Sequence, residues 1–107
     1  MPATYSRDAI QFEANFAAHF FNLSTEEALT HEAVYFYQLQ HKDRYNHNFD
    51  SSETGMWLRQ YLPESNEERQ RVLDKMDALQ KQIHKDDASR NHYNYAYTQF
   101  AKSYNLL

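Results

Sequence analysis

The sequence predicts an all-α fold, a compact bundle of four main helices plus one short helix. Apolar residues recur every three to four positions along most of the chain, as on one face of an α-helix. The 107 residues include one glycine and two prolines, too few for the tight turns of an all-β fold. Nine Tyr, seven Phe and one Trp could fill a small core. The length predicts a single helical-bundle domain spanning residues 1–107.

The first helix is expected from about Arg7 to Asn22, with Ser6 as its N-cap. One apolar stripe consists of Ala9, Phe12, Phe16, Phe20 and Leu23. A second apolar side, more than a quarter-turn away, consists of Ile10, Ala17 and Phe21. A helix that is apolar on two sides is either central in its bundle or covered by a second subunit. These last three residues are therefore candidate contacts of a homodimer.

The second helix should begin at Ser24, which has capping-box spacing with Glu27, or at Thr25. Its inner face is expected to comprise Ala28, Leu29, Ala33, Phe36 and Leu39. The stretch YNHNFDSS, residues 45–52, is rich in turn-forming side chains and predicts a loop. A short helix is expected from about Ser52 to Leu62, presenting Trp57, Leu58 and Tyr61. Pro63 ends it.

Ser65 and Glu68 repeat the capping-box spacing at the start of the fourth helix. Its narrow apolar seam is formed by Val72, Leu73, Met76, Leu79 and Ile83, as on a surface helix. Asp86 or Asp87 is expected to cap the last helix, which should extend to about Asn105. Its aromatic residues Tyr93, Tyr97, Phe100 and Tyr104 share one sector and are expected to be buried, whereas Tyr95 points away.

Composition argues against several classes of partner and location. The net charge is −4, so the chain lacks the basic surface of most duplex-binding proteins, and nucleic acid is an unlikely partner. No stretch approaches the length of a membrane span, and the first sixteen residues lack the pattern of a signal peptide. The absence of cysteine is compatible with a reducing compartment. We expect a cytoplasmic protein with no membrane contact.

Six histidines prompt a search for metal sites. The motif His-Glu-x-x-His is absent, and no glutamate is followed three residues later by a histidine, as di-iron bundles require. Glu27, His31 and Tyr35 lie one helical turn apart on one face. A carboxylate and an imidazole at this spacing could share a metal, but such pairs are more often solvated ion pairs. No cofactor is expected.

Two polar residues lie within apolar stripes. Glu32 falls among Leu29, Phe36 and Leu39 on the helical wheel, and His19 borders the phenylalanine stripe of the first helix. An unpaired buried carboxylate is costly, so Glu32 should be largely buried and paired with a donor, or else protonated. Such residues usually have a hydrogen-bond partner in the core or lie at the rim of the core. Less often they mark a polar site inside a bundle.

The sequence matches no catalytic template. Gly55 is the lone glycine, which excludes phosphate-binding glycine loops, and no serine lies in a nucleophile elbow. The leading interpretation is a non-enzymatic protein–protein interaction protein of regulatory, adaptor or inhibitor type, such as a phage or mobile-element accessory protein. It would act through a helical surface and self-associate, and its protein partner is unknown.

Two alternatives stay open. The first is a ligand- or metal-binding bundle that uses Glu27, Glu32, His31, His19 and Tyr35. The second is single-stranded nucleic-acid binding through an exposed Tyr95 with His92 and Lys102, since bases stack on aromatic rings beside cationic groups.

Overall fold

The computed structural model describes residues 6–42, 49 and 52–104. These ranges contain the helices α1 (Arg7–Phe21), α2 (Thr25–Lys42), α3 (Glu53–Arg59), α4 (Asn66–Ile83) and α5 (Asp87–Ser103). None of the described residues belongs to a β-strand. The all-α class, with four main helices and one short helix, is confirmed. The predicted loop at residues 45–52 lies mostly outside the described residues.

Each helix begins where its capping residue accepts a backbone hydrogen bond. The hydroxyl of Ser6 accepts from the N–H of Ala9 at 3.2 Å, and Ser52 caps α3 through the N–H of Gly55 at 2.9 Å. The corresponding bonds on α2, α4 and α5 are accepted by Ser24, Ser65 and Asp86. Hydrogen bonds from the Ser89 backbone and side chain lower the pKa of the Asp86 carboxyl. The capping signals in the sequence therefore locate the helix starts correctly.

Two helix ends show distinct stop signals. Asn22 follows α1 in the left-handed region at φ 59°, a conformation that asparagine tolerates better than most residues. The short helix α3 ends at Arg59, earlier than predicted. The N–H groups of Tyr61 and Leu62 turn back to carbonyls three residues before them, which converts the last turn to 3₁₀ geometry ahead of Pro63.

The chain divides within α4 into two compact units, Met1–Asp74 and Lys75–Leu107. Unit 1 contains α1, α2, α3 and the first half of α4, and unit 2 contains the second half of α4 and α5. The single-domain organisation stays a prediction. Among the described residues, no helix is both long enough and apolar enough to cross a membrane.

The core of unit 1 lies where α1 and α3 pack on α2. One cluster of buried residues consists of Ile10, Ala33, Phe49 and Leu58, and a second consists of Ala14, Ala28 and Leu29. The rings of Trp57 and Tyr61, on and just after α3, pack against both clusters. The guanidinium of Arg7 lies 4.7 Å from the Trp57 ring centroid and covers that ring.

Gly55 permits α3 to approach the chain at Phe49. A Cβ added to this glycine would lie 2.0 Å from the Phe49 carbonyl oxygen and 2.7 Å from the Phe49 Cα. Both are backbone atoms, so neither can move aside as a flexible side chain would. The close backbone contact therefore requires a residue without a side chain at position 55, where the one glycine of the sequence lies.

Unit 2 buries less of its aromatic surface than the sequence predicts. Ile83 on α4 and Ala101 on α5 are buried, whereas Tyr93, Tyr97 and Phe100 are only partly buried. The prediction for Tyr104 is wrong, because this residue is 47 % exposed. It follows the last residue of α5, where the helical phase no longer fixes its direction, and its ring lies 4.8 Å from that of Phe100.

Candidate functional site

The outward side of α5 is the most distinctive exposed surface in unit 2. Six exposed residues within about 60° of Tyr95 on the helical wheel form this α5 outer face: Ala88, Asn91, His92, Tyr95, Gln99 and Lys102. Tyr95 lies at its centre and is 66 % exposed, which confirms the predicted direction of this side chain. Lys102 is the only Lys, Arg, Asp or Glu among the six. A phenol and two amides therefore dominate the face.

The outward side of α4 has a different composition. Its exposed ionisable residues, of both signs, are Glu67, Glu68, Arg71, Asp74, Lys75, Asp77 and Lys81. Some of them pair along the helix, as Lys81 does with Asp77 at 3.0 Å. Charged pairs at this spacing are typical of a helix surface that faces only water. The α5 outer face lacks this pattern although both helices expose a long side to solvent.

A cleft of about 330 Å³ lies within unit 1, between α2 and the first turns of α4. Its walls are formed by Tyr37, Gln38, Asn66, Arg69, Gln70 and Leu73. Three of the six are amides, and the cleft is open to solvent. Several of these polar groups already have partners, since the Gln70 amide donates to Asp74 at 3.0 Å.

Arg69 contacts several of the elements that form this cleft. Its guanidinium donates to the carbonyl oxygens of Pro63 and Glu64, at 2.7 and 3.0 Å, and to the side chain of Asn66. The same group lies 4.8 Å from the ring centroid of Tyr37 on α2. Because its donors are directed at the loop before α4, Arg69 holds that loop against α2. We therefore assign the cleft a mainly structural role.

Two acids of interest belong to α1 and α2, which pack against each other. Glu32 on α2 and Glu13 on α1 are both partly buried. Burial and, secondarily, the carboxylate of Glu13 raise the pKa of Glu32 to about 8. Among the described residues, no donor pairs with Glu32, so the expected partner is replaced by a second acid. A pKa raised in this way favours the protonated form of Glu32, the other outcome that the sequence allows.

The candidate metal ligands on α2 differ in their exposure to solvent. His31 is 8 % exposed and Glu27 is partly buried, while Tyr35 is 47 % exposed. In the described part of the chain, no group of three or more His, Asp or Glu side chains is arranged to hold a metal ion. His19 was expected near the core and is instead exposed in the last turn of α1.

The candidate dimer contacts on α1 are largely covered by the chain itself. Ile10 is 3 % exposed and belongs to the buried cluster with Ala33 and Leu58, so it is unavailable to a partner. Ala17 is partly buried against the second cluster. Phe21 is partly buried, with its ring edge-on to Phe20 at 5.0 Å. Part of the second apolar side of α1 is therefore covered within unit 1, where Ile10 packs with Ala33 of α2 and Leu58 of α3.

Sequence reasoning missed Glu13 and the cleft residues. A signal for Glu13 was present, since it lies three residues after Ile10 and four before Ala17 and so shares their side of α1. The cleft has no such signal, because the position of Arg69 against Tyr37 depends on how the loop before α4 returns to α2. The periodicity of apolar residues describes single helices, and it does not show where a loop folds back onto another helix.

Comparison with known proteins identifies no relative: no family model, curated protein or solved structure matches this chain significantly.

Proposed function

We propose that this protein is a non-enzymatic interaction protein that self-associates through the α5 outer face. The observation that carries the proposal is the composition of this face, which is exposed, centred on Tyr95 and has Lys102 as its one Lys, Arg, Asp or Glu. Protein interfaces are depleted of charged residues at their core and enriched in tyrosine. Tyrosine with amide side chains also resembles the composition of antibody binding loops.

The α5 outer face has a symmetry that suits a second copy of itself. Ala88 and Lys102 each lie seven residues from Tyr95, so the face extends equally to both sides of that residue. In an antiparallel two-fold pair centred on Tyr95, Asn91 would face Gln99 of the partner subunit. Lys102 would approach the acidic first turn of the other α5. In a two-fold pair of this kind, the two ends of the interface make the same contacts.

The size of the face predicts weak association. A helix of 17 residues is about 26 Å long, and one side of it buries less than the roughly 800 Å² per partner of a standard interface. We therefore expect a dimer that forms in the micromolar range or above. A regulatory, adaptor or inhibitor protein could use such a face to exchange a second copy for another helical partner, in a cytoplasmic setting consistent with the absence of cysteine.

Sedimentation equilibrium over a range of protein concentrations tests this proposal. The wild type should shift from monomer to dimer mass, and Tyr95→Glu should remain monomeric because it places a charge at the centre of the contact. Gln80→Glu is the matched control, since it adds the same charge to an exposed position on α4 and should dimerise normally. A wild type that stays monomeric at all concentrations, or a dimer that survives Tyr95→Glu, would reject the α5 outer face as a self-association surface.

Single-stranded nucleic acid is a second candidate partner for the same face. Tyr95 is exposed and has His92 and Lys102 on the same side of α5, as a base-stacking surface requires. The small number of cations and the net charge of −4 favour a protein partner instead. Gel shifts at low and high salt distinguish the two, because binding to nucleic acid should weaken steeply as the salt concentration rises.

Small-molecule binding is the remaining alternative. The cleft beside Arg69 is the relevant cavity, in place of the His, Glu and Tyr side chains expected from the sequence. A thermal-shift screen against metabolites and divalent metals tests it, because a ligand that binds only the folded state raises the melting temperature. Any rise should be lost in Gln38→Ala if the cleft is the site.

A further inference from the structure

The cleft between α2 and the first turns of α4 contains a guanidinium without an acid partner. Among the six described residues that line it, Arg69 is the one cation and none is Asp or Glu. The acceptors of its hydrogen bonds are the carbonyl oxygens of Pro63 and Glu64, at 2.7 and 3.0 Å, and the amide oxygen of Asn66. All three acceptors are neutral groups. The partly buried charge of Arg69 therefore has no ion-pair partner among the described residues.

Part of the donor capacity of this guanidinium remains unused. Nη1 of Arg69 donates to the carbonyl oxygens of Pro63 and Glu64, and Nη2 donates to the side chain of Asn66. Because a guanidinium has five N–H donors, the Nε–H and the second Nη2 hydrogen have no acceptor in the described part of the chain. Two N–H groups of one guanidinium are the donors that a carboxylate or a phosphate accepts best.

Amide side chains in the walls of the cleft supply further donors. Gln38 on α2 has no side-chain hydrogen bond to any described residue, and Asn66 uses only its amide oxygen, in the bond from Arg69. Gln70 donates one amide hydrogen to Asp74 at 3.0 Å and retains the other. Three amide groups with available N–H donors therefore line the same cleft as the guanidinium.

The acids in the first half of α4 are directed away from this cleft. Glu67 and Glu68 are exposed and lie more than a quarter-turn from the centre of the cleft side on the helical wheel. The carboxylate of Glu68 accepts a hydrogen bond from Ser65, and that of Asp74 accepts one from Gln70. The residues that line the cleft therefore carry a single positive charge.

We propose that this cleft binds a small organic oxyanion, a carboxylate or a phosphate monoester. Its charged group would accept from the Nε–H and the second Nη2 hydrogen of Arg69 and from the amides of Gln38 and Asn66. Nη1 continues to hold the loop, so the structural contact and the ligand use different donors. A volume of about 330 Å³ suits a small molecule, whose carbon atoms would lie against Tyr37 and Leu73. The site is independent of self-association through the α5 outer face.

Titration of the wild type with glycerol 3-phosphate, acetate and inorganic phosphate, followed by NMR at the Nε–H of Arg69, tests the proposal. Sodium chloride at equal ionic strength is the reference, because screening also acts on a guanidinium. At least one of the three anions should shift this signal along a saturating curve, with the roughly millimolar affinity expected for a ligand of few atoms. The anion that binds most tightly identifies the preferred charged group.

Gln38→Glu places a carboxylate in the cleft wall and leaves the loop contacts of Arg69 in place. It should lower the affinity by at least about tenfold, because the carboxylate repels the anion and competes for the same donors. Asn66→Asp is a second variant with the same expected effect, and an acid in the first turn of α4 favours that helix. Arg71→Gln is the matched control: it makes the same change in net charge at an exposed position outside the cleft and should bind as the wild type does. A signal that saturates with none of the three anions, or an equal loss in Gln38→Glu and Arg71→Gln, would overturn the proposal.

Discussion

Unit 1 and unit 2 differ in where they place their large side chains. The largest fully buried side chains among the described residues, Phe16, Leu58 and Val34, all belong to unit 1. In unit 2 the fully packed positions are Ile83 and Ala101, while the aromatic residues of α5 are partly buried or exposed. Unit 1 therefore provides more of the apolar burial that stabilises the fold. Unit 2 presents aromatic surface that folding leaves accessible.

This difference suggests a division of roles. Surface aromatic residues contribute little to folding but can contribute much to an interface, because tyrosine supplies a large contact area at a small entropic cost. Tyr95 on α5 is the clearest example. The following variants test whether stability and association separate between the two units in this way.

The largest effect is expected from a pair of phenylalanine truncations. Phe16 in unit 1 is 1 % exposed, whereas Phe100 in unit 2 is partly buried. Phe16→Ala should lower the free energy of unfolding by about 3–5 kcal/mol, as expected for a fully buried phenylalanine. Phe100→Ala should cost about half as much because it removes less buried area. Urea melts of the two variants provide the comparison, and equal costs would contradict the difference between the units.

A smaller effect is expected at Gly55. On an exposed helix surface, replacing glycine by alanine usually stabilises by about 0.5–1 kcal/mol. In α3 the new methyl group would overlap the backbone at Phe49. Gly55→Ala should therefore destabilise by about 1–3 kcal/mol. A thermal or urea melt gives the sign of the change in the free energy of unfolding and so tests this prediction. A stabilised variant would mean that α3 does not approach Phe49 so closely.

The sequence was sufficient to predict the helices, but it did not show which helices pack against each other. Ser6, Ser24 and Ser65 were recognisable caps because capping depends on neighbours three residues away. The packing between helices could be predicted less well from the sequence. Ile10 was expected at a dimer contact and is covered by α2 and α3, since helical phase alone does not specify which element covers a face.

The candidate sites show the same limit. Glu32 was singled out correctly as an acid in an apolar stripe, but its neighbour could not be read from α2 alone. The prediction for Glu32 allowed either a paired donor or a bound proton, and burial together with the carboxylate of Glu13 raises the pKa of Glu32 to about 8. For Tyr95 the phase of one helix was sufficient, because exposure of a side chain on a surface helix needs no knowledge of a partner.

The smallest effect on folding, and the sharpest test of the division, is expected from Tyr95→Ala. Tyr95 is 66 % exposed, so truncation should change the free energy of unfolding of the monomer by less than about 0.5 kcal/mol. Sedimentation should nevertheless show loss of the dimer, since the variant removes the centre of the α5 outer face. Tyr93→Ala is the matched control on the same helix. Tyr93 is partly buried and lies away from that face, so this variant should lower stability and still dimerise. If both variants changed stability and association together, folding and association would share the same residues of α5, and the proposed separation between the units would fail.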